Sequence, residues 1–274
     1  MENQLYFENC KSVLERMPDG SVDLFLQDPP FEVTDSAWDK GFIVTLPEMW
    51  ELWQRKGKLN CPFVFKATYP FAIDLINSNR AMFRYEWIWE KDIFTNFVNA
   101  KHQPLRCVEY LFVFYKEKPT YHPILRKTSN AKSKTKQCKP AQTQIYSLKN
   151  KVYSYTVSEL GNPTNLIKVG AEKKRFVTNV DAQNRHPNRT NPDLWKYFIR
   201  TYTNEGDLVF DGYAGSGSVA QAAIALNRRW IACENSEEYY EDTKQRLLYS
   251  KEIHELGYAP SELRKKVGSL FFGL

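Results

Sequence analysis

The chain has 274 residues, 42% hydrophobic and 26% charged, enough for one sizeable core plus an insertion and too balanced for a disordered or fibrous protein. No apolar run approaches the roughly 20 residues of a membrane span, and the first residues carry neither a basic stretch nor a signal-like apolar core, so a cytoplasmic protein with no membrane partner is expected. Cys10, Cys61, Cys107, Cys138 and Cys233 are scattered, form no Cys-x-x-Cys and have only four histidines beside them, which argues against disulfides and against a metal site.

From the N-terminus, Cys10, Val13, Leu14 and Met17 recur at helical spacing within residues 5–17, and Pro18-Asp19-Gly20-Ser21 is a turn. The run from Val22 to Gln27 then reads as a buried strand that stops in Asp28-Pro29-Pro30-Phe31. The prolines fix φ at two successive positions and lack N–H groups, so nearby carbonyls find no local donor and the flanking side chains are rigidly aimed. Asp28, a backbone carbonyl and Phe31 can converge on one planar ligand bearing an amino group, the oxygens accepting its protons and the ring stacking on its face. Taken alone, the same four residues also describe a plain strand end followed by a turn.

Glu32 to Lys40 reads as a polar loop beside that strand end. Pro47 to Trp53 reads as an amphipathic helix with Trp50 and Trp53 on its core face, Cys61 to Ala67 as a strand and Pro70 to Asn77 as a helix. Phe83 to Trp89 and Val108 to Tyr115 are β-rich runs separated by a polar loop, Asn96 to Arg106. Alternation of strands and helices at this spacing predicts βαβ units and a largely parallel sheet.

The net charge of +6 is unevenly placed. From Lys118 to Ser158 there is no acidic residue and nine basic ones, so this segment carries the whole basic excess and the remainder is slightly acidic. Such polarity is the footprint of a polyanion partner, with Lys127, Lys132, Lys134, Lys136 and Lys139 as candidate phosphate contacts. A solvated loop would show the same charges, although Tyr146, Tyr153 and Tyr155 among the lysines favour a segment that folds against something. Beyond it, Asn191-Pro192 reads as the start of a helix carrying Leu194, Trp195, Phe198 and Ile199.

Asp207 to Asp211 is a short strand, Gly212 to Ser218 a glycine-rich turn, Val219 to Leu226 a small-residue helix and Trp230 to Glu234 a further strand. Gly215-x-Gly217-x-x-Ala220 has nucleotide-binding spacing, and Glu234, nineteen residues after Gly215, falls at a strand end where its carboxylate can accept hydrogen bonds from ribose hydroxyls. Only forty residues follow Glu234, most of them one helix over 237–255, so the sheet must be completed by N-terminal strands. A nicotinamide-dependent oxidoreductase would carry the rest of its sheet after this unit, and it would explain neither Asp28-Pro29-Pro30-Phe31 nor the lysine-rich segment.

With both motifs in view the chain resembles the S-adenosylmethionine-dependent DNA amino-methyltransferases of the permuted β-type order, over most of its length. Asp28-Pro29-Pro30-Phe31 resembles the catalytic motif, Trp38-Asp39 the residues that often trail it, and Trp89-x-Lys91 with Glu109 to Phe114 the strands that follow. Tyr121-His122-Pro123 is similar to the lead into target recognition. Asp211 to Ser218 is similar to the Asp-Pro-Phe-x-Gly-Ser-Gly-Thr cofactor motif, with departures at Gly212, Tyr213 and Ser218. His186-Pro187 with Pro192 resembles the lead into the cofactor site, one residue longer than the common spacing.

The resemblance implies an α/β, Rossmann-like methyltransferase fold, a largely parallel sheet with helices on both faces and an inserted target-recognition region. It implies a catalytic and cofactor-binding domain over 1–117 and 186–274 and a basic target-recognition region over 118–185. It makes Asp28, Pro29, Pro30 and Phe31 catalytic, and Asp211, Tyr213, Gly215, Ser216, Gly217, Ser218, Glu234, His186 and Asn188 the S-adenosylmethionine site. The partner implied is double-stranded DNA with the target base flipped out, and a homodimer and a cognate restriction enzyme are compatible with it. Because an aspartate leads the first motif, adenine N6 is the expected acceptor, with cytosine N4 the alternative and an inactive DNA-binding homologue a further one.

Overall fold

A computed structural model describes residues 3–32, 41–127, 134–138, 153–157, 159–170 and 189–255. The chain divides into two compact units, Met1–His122 with Asn165–Leu274, and Pro123–Thr164.

In chain order the first unit contains β1 (Gln4–Phe7), α1 (Cys10–Arg16), β2 (Leu24–Gln27), α2 (Leu46–Lys56), β3 (Phe63–Ala67), α3 (Phe71–Ser78), β4 (Phe83–Thr95) and β5 (Arg106–Phe114). The second unit contributes β6 (Arg126–Lys127), β7 (Lys134–Cys138), β8 (Tyr153–Val157) and β9 (Leu160–Gly161). The chain then returns to the first unit with β10 (Leu166–Lys168), α4 (Pro192–Tyr202), β11 (Leu208–Asp211), α5 (Ser218–Ile224), β12 (Arg229–Glu234) and α6 (Glu237–Glu255).

Eight of these strands form one sheet in the order β1-β12-β11-β2-β3-β5-β4-β10. The pairings from β1 through β3 are parallel and so is β4 with β10, whereas β5 runs antiparallel to both β3 and β4. This is the α/β architecture expected, a largely parallel sheet between two helical layers. Successive strand residues point to opposite faces, and the apolar sequences of β2 and β3 use both. Phe25, Phe63 and Phe65 join Leu14, Trp50, Trp53 and Phe71 of α1, α2 and α3 on one face. Leu24, Leu26 and Val64 join Trp195, Phe198, Ala222 and Leu247 of α4, α5 and α6 on the other. Phe25 lies 5.0 Å from Phe63 and 5.4 Å from Phe210 between ring centroids, and each fully buried ring of this kind contributes about 1.5–3 kcal/mol.

Local chemistry fixes the helix starts. The Asn191 side chain accepts from Asp193 N at 2.9 Å with Pro192 as the first helical residue of α4, and Asn9 does the same for Lys11 N at 2.9 Å at the start of α1.

Four expectations need correction. Within residues 5–17 the helix is confined to Cys10–Arg16, because Gln4–Phe7 is instead an edge strand paired with β12; four residues are too few to show a period. β4 runs on to Thr95, well past Trp89: its antiparallel register with β5 is regular to Glu90, opposite Val108, and after a shift resumes at Thr95, opposite Arg106. The connection beyond it is not uniformly polar, since Phe97 and Val98 are exposed there, next to exposed Ile93 and Phe94. β10 falls within residues 118–185 yet pairs with β4 of the main sheet.

In the second unit, β6 pairs with β9 and β7 with β8, both antiparallel. Lys127 is exposed on β6, and Lys134 and Lys136 belong to β7. Lys132 and Lys139 lie outside the described residues, as do Trp38, Asp39, Tyr146, His186 and Asn188.

Candidate active site

Parallel pairing of β2, β11 and β12 brings their carboxyl ends to one edge, and with them Asp28, Asp211 and Glu234. Open α/β sheets bind ligands in the crevice outside that edge. A cavity of about 510 Å³ lies there, lined by Asp28, Pro29, Pro30, Phe31, Thr190, residues 211–216, Ser218, Glu234 and the first residues of α1.

On the β2 side, Asp28 is held from below. Lys66 of β3, 1% exposed, donates from Nζ to Asp28 Oδ2 at 2.9 Å and to Thr190 Oγ1 at 2.9 Å. Thr190 Oγ1 in turn donates to the same Asp28 Oδ2 at 3.0 Å. Glu109 Oε2 stands 3.3 Å from the ammonium, an ion pair without hydrogen-bond geometry, and Glu109 also pairs with Lys91. Burial alone would pull the Lys66 amine down, but the charges of Asp28 and Glu109 outweigh it and hold the ammonium above its ordinary range. Burial likewise works against the Glu109 carboxylate, and Lys66 and Lys91 overcome it, holding Glu109 below its ordinary range. Phe31 stacks on Phe71 with centroids 5.7 Å apart, and Lys66 Nζ lies 5.6 Å from the Phe31 centroid.

The glycine-rich turn is tied to this strand end by Gln27, which is fully buried. Its Nε2 donates to Phe210 O at 2.7 Å and its Oε1 accepts from Gly212 N at 3.0 Å. The departure at Gly212 thus has a physical reason. A proline there would lack the N–H that Gln27 uses, and a Cβ would meet Gln27 Oε1 at 2.9 Å. Gly217 has φ +74°, and a Cβ on it would approach Thr243 Cγ2 to 2.6 Å, so the turn into α5 admits no side chain at this position. Ser218 Oγ accepts from Trp195 Nε1 at 3.0 Å, and Ser216 O accepts from Arg246 at 2.9 Å.

The acids on this side differ from Asp28. Asp211 Oδ1 accepts from Tyr213 N at 3.0 Å, whereas Oδ2 is buried with no hydrogen-bond partner among the described residues. Burial pushes the Asp211 carboxyl up to about 8; the Tyr213 N–H opposes this and the charges of Asp28 and Glu234 add to it. Glu234 accepts from Gly215 N at 2.8 Å through Oε2, and from Asn235 N at 3.0 Å and Ser236 N at 2.8 Å through Oε1. A carboxylate offers about four acceptor positions, so one remains for a ligand hydroxyl, fewer than the pair expected from the sequence. Burial raises Glu234 despite these three donors.

Six carboxylates line the cavity, Glu8, Asp28, Glu48, Asp211, Glu234 and Glu238, against one lysine, Lys11, which is paired with Glu48. Such a donor set suits a cationic ligand, and the unpartnered Asp211 oxygen marks a place for an N–H donor. Cys10 and Cys233 also line it, closer to the site than their scatter in the sequence suggests. Burial pushes the Cys10 thiol up to about 11 and raises Cys233 further, so neither is a thiolate nucleophile at neutral pH. Among the described residues no cluster of metal-ligating side chains occurs.

Of the residues singled out in the sequence, the cavity gathers Asp28, Pro29, Pro30, Phe31, Asp211, Tyr213, Gly215, Ser216, Ser218 and Glu234. Sequence reasoning missed Gln27, Lys66 and Thr190. For Lys66 a signal existed: a lysine inside Phe63-Val64-Phe65-Lys66-Ala67 has to find a buried partner.

Residues 22–245 match the DNA methylase family of N6 and N4 methyltransferases, well over half of the chain. The chain belongs to that family. It is an S-adenosylmethionine-dependent amino-methyltransferase. Among its relatives, the orphan methyltransferase M.BamHII of Bacillus amyloliquefaciens is 25% identical over 246 residues, covering 85% of this methyltransferase and 91% of the relative. The DNA adenine methyltransferase YhdJ of Escherichia coli (strain K12) is 25% identical over 277 residues, with coverage of 94% and 86%. Two solved structures share the fold. The M1.HpyAVI–SAM complex has TM-score 0.59 at 20% identity, covering 89% of this chain and 98% of that one. The cytosine-N4-specific PvuII DNA methyltransferase has TM-score 0.63 at 17% identity, covering 92% and 91%.

Proposed function

We propose that this methyltransferase transfers a methyl group to the exocyclic N6 of adenine at a specific sequence in double-stranded DNA. The observation that carries the reading is the single cavity that joins Asp28-Pro29-Pro30-Phe31 to the turn over 211–218 and to Glu234. The aspartate that leads the first motif and the kinship with a DNA adenine methyltransferase support adenine over cytosine.

S-adenosylmethionine, when bound, supplies an electrophilic methyl group on a positively charged sulfur. Asp211 would accept from its ammonium end, Glu234 from a ribose hydroxyl, and the backbone of Gly215 to Gly217 would let it approach the start of α5. The target base leaves the duplex, because its amino group is otherwise paired and stacked. Phe31, backed by Phe71, stacks on the base. Asp28 and the Pro29 carbonyl would accept hydrogen bonds from the two amino N–H groups, which enriches nitrogen in electron density and aims its lone pair; as the nitrogen–methyl bond forms the sulfur–methyl bond breaks, and one amino proton is lost to Asp28 or solvent. The work of these residues is positioning and electrostatics, with no covalent bond to the protein. The basic segment over 118–185, including Lys127, Lys132, Lys134, Lys136 and Lys139, tracks phosphates and supplies target recognition.

The test is to methylate mixed genomic DNA with the purified protein, digest it to nucleosides and separate them by mass spectrometry. N6-methyladenine is expected. N4-methylcytosine as the sole product would overturn the choice of base and leave the amine-transfer reading standing, and no methylated nucleoside would overturn both.

A further inference from the structure

We infer that Lys66, acting with Thr190, is a positioning residue for methyl transfer: together they hold one oxygen of the Asp28 carboxylate and thereby present the other to the target amine. The inference rests on the methyl-transfer reading of the Asp28 motif and extends it to residues outside that motif.

The geometry is specific to one oxygen. Both donors, the Lys66 ammonium at 2.9 Å and the Thr190 hydroxyl at 3.0 Å, go to Oδ2, and Oδ1 has no partner among the described residues. The hydroxyl also accepts from the ammonium at 2.9 Å, closing a triangle that fixes the plane of the carboxylate. Lys66, Thr190 and Asp28 stand on three separate segments, joined by contacts spanning 38, 124 and 162 residues of sequence. Pro29 and Pro30 aim the backbone after Asp28 but exert no hold on its side chain; that hold comes from Lys66.

Charge explains why a lysine can serve there. Glu109 and Lys91 continue the series, so Asp28, Lys66, Glu109 and Lys91 alternate in sign and sum to neutrality. Glu109 keeps the buried ammonium charged without competing for the Asp28 oxygen. Of these four only Asp28 lines the cavity, so the series reaches the ligand at that one carboxylate. The ammonium also stands 5.6 Å from the Phe31 ring centroid, so one group touches both the proton acceptor and the stacking ring. A shift of about 1 Å in a positioning contact costs on the order of 10²-fold in rate.

The experiment uses the full chain, duplex DNA and tritiated S-adenosylmethionine, with cofactor titration to count folded sites. In Lys66→Met, kcat per cofactor-binding site falls about 10²-fold, while cofactor affinity and the KM for DNA change by less than about threefold. Because Lys66→Met leaves Glu109 with Lys91 as its one cation and the buried series with an excess negative charge, Lys66→Met with Glu109→Gln is made in parallel. The double variant recovers folded yield and not kcat. Independently of turnover, the Lys66 ammonium in the wild-type protein gives a slowly exchanging nitrogen-bound proton resonance that Asp28→Asn displaces. A double variant whose kcat per site lies within about threefold of wild type would show that the lysine is only structural. A resonance indifferent to Asp28→Asn would equally overturn the inference. A wild-type protein that binds cofactor and methylates no DNA would instead overturn the functional reading, and the resonance would then decide the Lys66 assignment alone.

Discussion

Asp28 and Asp211 end adjacent parallel strands and face the same cavity, yet their surroundings are opposite. Asp28 receives a buried ammonium and a hydroxyl on one oxygen. Asp211 receives one backbone N–H, leaves its second oxygen without a partner among the described residues, and is pushed by burial up to about 8. The first carboxylate has its cation built into the fold. The second has none, and it is matched to a ligand that brings its own positive charge. On the proposed reading, the same residue type divides into an acceptor half and a cofactor half through what the sheet places behind each.

The largest effect expected is on the acceptor half. Asp28→Ala lowers kcat by about 10³-fold or more, the scale of removing a group that stabilises charge in the transition state, with cofactor affinity within about threefold. Single-turnover methyl transfer and calorimetry on the same preparation measure the two. A comparable loss in both would erase the division of labour.

On the cofactor half, Asp211→Asn changes how stability depends on pH. In the folded protein without ligand the carboxyl binds its proton up to about 8, against an ordinary 3.8. Between these values the native state holds more protons than the unfolded state, so wild-type stability relative to Asp211→Asn falls as pH rises and is flat above the upper value. The slope is at most about 1.4 kcal/mol per pH unit. Denaturant midpoints of both proteins at several pH values report it, and parallel curves would show that Asp211 is an ordinary carboxylate.

Glu234→Ala should weaken cofactor binding by about 1–3 kcal/mol, since it removes a ligand acceptor and leaves the N–H groups of Gly215, Asn235 and Ser236 without theirs. Calorimetric titration reads the loss, and unchanged affinity would remove Glu234 from the site. The smallest effect lies outside both halves. Replacing Lys132, Lys134 and Lys136 together lowers the salt dependence of DNA affinity by up to about three counterions' worth of slope, with cofactor affinity unchanged. An unchanged slope would make the basic run a solvated surface.

What the sequence reveals follows from distance along the chain. Asp28-Pro29-Pro30-Phe31 and the stretch from Asp211 to Glu234 are continuous, so turn chemistry, strand ends and glycine spacing could be read directly, and the alternation of apolar runs sufficed for the largely parallel sheet. Gln27 and Thr190 were illegible, and Lys66 was legible only as a buried lysine in need of a partner, because the partners stand far away: Lys66 and Thr190 are 124 residues apart, and Gln27 and Gly212 are 185. β1 was hidden because it is an edge strand of four residues whose pairing is with β12. The extension of β4 was hidden because Asp92 to Thr95 are exposed and follow no apolar period, Thr95 being paired with Arg106 of β5 only after a register shift.

The contrast between the two aspartates is tested most directly by proton release on cofactor binding. S-adenosylmethionine is titrated calorimetrically into the wild-type protein at pH 7 in two buffers of different ionisation enthalpy. Because Asp211 holds its proton up to about 8 without ligand, an arriving cation expels it, and roughly half a proton or more is released per site. Asp211→Asn abolishes the release, Asp28→Asn leaves it intact, and wild-type affinity rises with pH up to the Asp211 midpoint. No proton release in the wild-type protein, or equal release from Asp211→Asn, would contradict the account.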